Sequence, residues 1–262
     1  MKHLLMMVLL CAGTANAQEI LPHPPASADV VILGEVHDNP RHHEVQATLV
    51  AQIAPDALVL EMLTPEQAAA VTPENRQTQA ELDAALGWSE SGWPDFAMYY
   101  PIFAAAPDAV VIGAAVPRDR ARAAMETGIA ESFGAGAELY GLAAPLAGDQ
   151  QEAREALQMA AHCDAMPEDM LPVMVDLQRL RDAVLARAAV DTVMQTGGKV
   201  AVITGNGHAR LDWGAPSLIA LARPDLHVWS LGQAEADNIS GNFDAVLSAE
   251  PVDRGDPCAE FK

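Results

Sequence analysis

Glu35, His37, Asp38, His42, His43 and Glu44 fall within ten positions of one segment, VVILGEVHDNPRHHE at residues 30–44. Imidazoles and carboxylates at this density can ligate a metal, move a proton or hold a polar network. A second segment, VAVITGNGHAR at 200–210, repeats the device, and both carry the spacing G-x-x-H, from Gly34 to His37 and from Gly205 to His208. In each, an apolar run stops at a turn and hands over a histidine. Glu61 closes a third apolar run, LVLEM, an unfavourable place for a carboxylate without a partner. Glu35, His37, Glu61 and His208 are therefore the candidate set. Three chemistries stay open for them: ligands for zinc, iron or another divalent metal, general-base activation of water in a hydrolase, or a hydrogen-bonded network that only closes a sheet edge.

These residues meet only if the elements behind them lie side by side. Apolar runs at 29–34, 57–62, 109–115, 199–204 and 227–231 read as strands, continuously apolar and so covered on both faces, as in parallel sheets. Residues 40–54 and 215–223 read as crossover helices, and an edge strand is expected at 244–248. The fold expected is α/β, an open and mostly parallel sheet flanked by helices. Ligands of such sheets bind beyond the carboxyl ends of the strands, where Glu35, His37, Glu61, Arg118 and His208 would stand. Between 118 and 196 the strand signal disappears. Helical periodicity covers 118–132 and 173–195, where Val173, Leu177, Leu180, Val184, Leu185 and Ala188 share a face, with a further helix at 149–161. The expected division is 18–117 with 197–262 as an α/β core and 118–196 as a smaller helical insertion lobe.

Residues 1–17, MKHLLMMVLLCAGTANA, have the lysine, the short apolar stretch and the A-N-A ending of a cleaved secretory signal. Leu10 stands where a lipid-anchored Cys11 would need a small residue, so ordinary cleavage and a periplasmic location are expected. Without Lys2 the formal charge moves from −21 to −22. Such an acidic chain repels phosphate backbones and anionic lipid heads, which argues against nucleic acid as a partner. No later segment is apolar enough for a transmembrane span. Two cysteines then remain, Cys163 and Cys258, and after export an even number suggests one disulfide. Closing about 95 residues, it is worth roughly 4–5 kcal/mol in the chain-entropy model.

Among the other residues, His42 and His43 fall in the first turn of a helix and are expected to be solvated. His23, His162 and His227 belong to no constellation. Tyr99 and Tyr100 follow Trp88 and Trp93 in a chain with three tyrosines and four tryptophans. A phenolate can bind ferric iron and tryptophans can stack on a flat ligand; an aromatic anchor for the fold is the equal alternative. The G-N-G-H loop lacks a Walker lysine, so its glycines are expected to permit a tight turn rather than to cradle phosphate.

Taken in order, LGEVHDNPRHHEVQ, WPDFAMYYPIF, VPRDRAR, HCDAMPEDM with QRLRDAVLA, and ITGNGHARLDWGAP resemble the ChaN-like haem-binding family of the Tiki superfamily, over roughly residues 28–222. The resemblance implies an exported protein serving haem and iron uptake, with haem held between lobe and sheet, in one arrangement at a homodimer interface with two haems close together. It implies a tyrosine ligand for the iron, carried onto Tyr99 in W-x5-Y-x-P, with Tyr100 second. Arg118 and Arg122 become the propionate partners it implies. The chain departs from the family pattern after the third strand, where Ala115 stands in place of an asparagine. The wider superfamily includes erythromycin esterases, in which a similar G-E-x-x-H element resembles a general-base site. That keeps a hydrolase using Glu35, His37, Glu61 and His208 as the alternative.

Overall fold

The computed structural model describes residues 21–256 together with 258 and 259. The expected secretory signal and Cys11 lie outside the described residues. The elements run β1 (Val30–Glu35), α1 (Pro40–Ile53), β2 (Ala57–Leu60), α2 (Pro65–Ala69), α3 (Gln79–Leu86), α4 (Phe96–Ala105), β3 (Val110–Gly113), α5 (Arg118–Thr127), α6 (Ile129–Phe133), α7 (Gly148–Ala161), α8 (Leu171–Thr196), β4 (Val200–Gly205), α9 (Asn206–Ala209), α10 (Ala215–Ala222), β5 (Val228–Glu235) and β6 (Ala245–Ala249).

All six strands are parallel, in the order β3-β2-β4-β1-β5-β6. The continuous apolar runs are explained by how alternate residues divide. Val30, Ile32, Ala57, Val59, Val200 and Val202 face a core built with α5, α6, α8 and α10. Val31, Leu33, Leu58, Leu60, Ala201 and Ile203 face a second core built with α1, α3 and α4. Both faces are thus dry, and β1, β2 and β4 are buried along their whole length. β6, at the margin, alternates half-buried with exposed residues.

The topology puts β4 between β1 and β2, so that the carboxyl ends carrying Glu35, Glu61 and His208 are neighbours. Residues 118–196 hold helices and no strand. Leu180, Ala183, Ala186 and Ala189 of α8 are fully buried in the same core as the strands, so α8 is one of the layers covering the sheet.

The C-terminal tail is fastened at two points. The Arg254 guanidinium donates to Asp38 (Nε to Oδ2, 2.6 Å) and to both oxygens of Glu235 at 2.7 Å. Cys258 is disulfide-bonded to Cys163, just past α7, with the two Cα atoms 5.5 Å apart. No described helix is long and apolar enough to cross a membrane.

Candidate functional site

The turn after β1 is held by its own following helix. Asn39 caps α1 by accepting from the Arg41 amide at 3.0 Å, and Pro40 opens the first turn, so the chain enters α1 three residues after His37. His42 Nδ1 accepts from the Val36 amide at 2.9 Å, and His43 Nε2 donates to the His37 carbonyl at 2.8 Å. Both histidines are 1% exposed. The expectation that they are solvated is corrected: the first turn of α1 tucks under the sheet edge, and its imidazoles satisfy backbone groups that water does not reach. Burial holds His42 below its ordinary value.

Glu35 is the buried hub of the first pair. Its Oε1 accepts from the Tyr99 hydroxyl and from His37 Nδ1, each at 2.7 Å, and its Oε2 accepts from Gln46 at 2.7 Å. The carboxylate therefore fixes the neutral tautomer of His37 with Nε2 turned outward. The His37 side chain is 33% exposed and its ring lies 4.9 Å from that of Trp93. Its burial, which works to lower the pKa, is outweighed by the Glu35 hydrogen bond and the Glu61 charge, leaving it above its ordinary value.

His208 is the centre of the second pair. Its Nδ1 hydrogen-bonds Asp182 Oδ1 at 2.7 Å, and its Nε2 lies 3.5 Å from Glu61 Oε1. Glu61 Oε2 in turn accepts from Thr204 Oγ1 at 2.6 Å and the Gly205 amide at 2.8 Å. Burial, which would lower the His208 pKa, is overcome by the Glu61 and Asp182 charges, and it rises to about 9. The two flanking carboxylates favour the imidazolium form of His208, while burial pushes the Asp182 carboxyl above its ordinary value. Glu61, where burial acts upward, is brought below the usual range by His208 and His37 and by its two donors. The G-N-G-H segment turns tightly, as the single-turn helix α9. Asn206 ties it to β5 by donating to the Gln233 carbonyl at 2.7 Å and accepting from the Gln233 amide at 2.9 Å.

The two pairs face one cleft. A cavity of about 380 Å³ is lined by His37, Arg154, Leu157, Val175, Asp182, His208, Arg210 and Trp213. A second, of about 510 Å³, is lined by His37, Glu61, Trp93, Ala115, His162, Met174, Arg181 and His208. His37, Gln178 and His208 line both, so the two form one trough in the size range of cofactor sites. Ala115 stands in its wall, and His162, which the sequence placed in no constellation, lines it as well.

Gly205 is where backbone and imidazole come closest. A Cβ there would stand 3.0 Å from His37 Nε2 and 3.3 Å from its Cε1. Gly205→Ala is expected to push the ring by a few tenths of an ångström and leave folding nearly intact. Urea denaturation should shift little, while any activity or affinity that depends on His37 falls about tenfold.

Other expected site residues lie elsewhere. Tyr99 is fully buried among Trp88 and His43, and its hydroxyl is committed to Glu35, so it does not face the trough. Burial, with Glu35 next in effect, holds its pKa far above the ordinary phenol value, which disfavours the phenolate an iron would need. The Tyr100 hydroxyl donates to the Gln77 carbonyl at 3.0 Å, away from the cleft. Arg118 is exposed and lines an adjoining hollow with Met62 and Gln67, which shares Trp93, Ala115 and Val116 with the trough wall; Arg122 is exposed and lines none of the described cavities. The arginines at the trough are Arg154, Arg181 and Arg210. Nor do Glu35, His37, Glu61 and His208 converge as ligands for a divalent metal. Among the described residues no group of three or more His, Cys, Asp or Glu side chains is arranged to hold one: Glu35, Glu61 and His208 are turned onto neighbours, which leaves His37 Nε2 by itself.

A family model described as "Haem-binding uptake, Tiki superfamily, ChaN" matches residues 23–219. No curated protein matches the sequence. Among solved structures, ChaN of Campylobacter jejuni, described for cofacial heme binding, is similar over 84% of this chain and 87% of that one, with TM-score 0.64 and 20% identity. The type III effector HopBA1 is similar over 85% and 88%, with TM-score 0.44 and 15% identity. A mutant of the erythromycin esterase EreC in its open conformation is similar over 80% and 71%, with TM-score 0.42 and 13% identity.

Proposed function

The chain belongs to the haem-binding uptake family of the Tiki superfamily, the ChaN family, and we propose that it binds haem in the trough between the sheet edge and helices α7 and α8. The observation that carries this is a cavity of the right chemistry around one outward imidazole. Leu157, Val175 and Trp213 on one side and Met174, Leu185 and Trp93 on the other offer apolar surface to a flat ring, and arginines stand at its rim. The donor these contacts leave for iron is His37 Nε2, because Nδ1 is engaged by Glu35 and the Tyr99 hydroxyl is buried. Tyr99 acts through Glu35 in this reading. An exported location and a part in haem or iron uptake belong to the same proposal, and the disulfide suits an oxidising compartment. A homodimer with two haems face to face is compatible with it, and sedimentation with and without hemin measures that.

Hemin titration of the mature protein tests it. The expected result is a saturable Soret shift that Tyr99→Phe changes only a few-fold. No saturable shift in the wild type removes haem, and a collapse in Tyr99→Phe with His37→Ala unaffected returns the iron to the tyrosine.

Proton competition gives a further expectation. Iron and proton share His37 Nε2, and Glu35 and Glu61 raise the pKa of that imidazole. Hemin affinity should therefore fall as the pH drops below the His37 pKa, by up to about tenfold per pH unit. A flat affinity from pH 5 to 8 would count against an imidazole ligand.

A second reading rests on the same pair. An imidazole backed by a buried carboxylate, with its outer nitrogen facing a cavity, is also a general base for water, with the His208 imidazolium available to donate a proton. This is the hydrolase alternative, without a metal. A screen of ester and peptide substrates should then show turnover that both His37→Ala and His208→Ala remove; turnover kept in both variants ends that reading.

A further inference from the structure

Most arginines that carry an ion pair near the trough are fully engaged. Arg210 holds Asp212 through Nε at 2.9 Å and Nη2 at 2.7 Å. Arg179 holds Asp176 at 3.0 Å and the carbonyls of Gly141 and Ala144 at 2.9 and 2.8 Å. Arg154, on α7, is different. Its one side-chain partner is Gln150, which accepts from Nη2 at 3.1 Å, and among the described residues no carboxylate is within ion-pair distance. Its Nε is buried without an acceptor. Among the described residues Arg76 Nε is the other such atom, but the Arg76 Nη groups are satisfied by the carbonyls of Ala106, Pro107 and Ala109, as a structural clamp would be.

An unsatisfied buried donor is unfavourable by about 1–3 kcal/mol, and α7 offers nothing to relieve it. The guanidinium is nonetheless held in place. Arg154 Cζ lies 5.0 Å from the centre of the Trp213 ring, a ring that Arg210 also covers at 3.7 Å. The nearest acids are already used: Asp182 by His208 and Asp212 by Arg210. Arg154, Arg210 and Trp213 line the same cavity as His37. In a chain of net charge −21, a pre-oriented cation at that rim is where an anionic ligand group gains most.

We propose that Arg154 is the carboxylate anchor of the trough, taking one carboxylate of a flat apolar ligand through its two Nη groups, while Nε stays buried. On the haem reading, on which this rests, that group is a propionate, and Arg154 takes the role that the resemblance gave to Arg118 and Arg122. The fork geometry makes the contact bidentate, and lysine does not reproduce it.

The test compares hemin with hemin dimethyl ester, in which both carboxylates are blocked, on the mature wild type and on Arg154→Gln. Hemin should bind the wild type about 10–100-fold more tightly than the diester does. Arg154→Gln should lose about that factor for hemin and almost nothing for the diester, and Arg154→Lys should recover only part of it. Equal wild-type affinity for the two ligands, or equal losses of both in Arg154→Gln, overturns the anchor while leaving haem binding in place. If the wild type binds neither ligand, the haem reading falls and the anchor with it. Equal wild-type affinity overturns the anchor even if a variant folds poorly.

Discussion

His37→Ala is expected to weaken hemin binding by more than about 100-fold, with the folded state nearly as stable as before. Outer partners of a metal ligand typically account for 10–100-fold in affinity, so loss of the ligand itself should exceed that. The ring is one-third exposed, with Trp93 4.9 Å away, so its removal leaves only a small gap. Glu35 is the informative contrast. Its carboxylate is fully buried under Tyr99, Gln46 and His37. Glu35→Ala would strand three hydrogen-bonding groups and lower stability by several kcal/mol, at about 1–3 kcal/mol per unsatisfied group. Isothermal titration with hemin beside urea denaturation separates the two. An unchanged dissociation constant in His37→Ala would move the iron to another residue.

Asp182→Ala should lower stability by about 3–5 kcal/mol, because it removes the nearer of the two carboxylates that flank the buried His208 ring. The pair also sets a pH dependence. His208 rises from an ordinary 6.5 to about 9 in the folded chain. A group whose folded pKa is the higher one stabilises fully below the unfolded value and ceases to do so as pH rises through the folded value. Stability should therefore decline between about pH 6.5 and 9, by at most roughly 3 kcal/mol. His208→Gln should flatten that decline. A wild-type urea midpoint that is constant or rising over this window contradicts the assignment of charge to His208.

Much of this arrangement was legible in the residues. The runs ending at Gly34, Glu61 and Gly205 announce strands because nothing polar interrupts them, and a polar group that follows such a run has to sit at the sheet rim. That logic brings Glu35, His37, Glu61 and His208 together. It does not reveal Asp182, which sits mid-helix with no break around it. The available signal was its spacing from Val175, Ala186 and Ala189, which sets a carboxylate on the buried stripe of α8. Arg154 was hidden for the opposite reason: in a helix without a buried residue it reads as a solvated charge, and only the fold brings Trp213 beneath it. His42 and His43 were misplaced because helix-start residues usually meet water, whereas here the rim closes over them. Tyr99 was found by its motif, yet whether it faced the cavity or the interior depended on Glu35, 64 positions away.

The bond between Cys163 and Cys258 makes a closed ring of the later part of the chain. Asp182, His208, Arg210 and Trp213 all lie on that ring, whereas Glu35, His37, Glu61 and Tyr99 lie on the linear part. The trough is thus the seam between a covalently circular segment and an open one. Disorder entering from the linear part would scatter His37 and its supporters, yet His208 and Asp182 would still travel together.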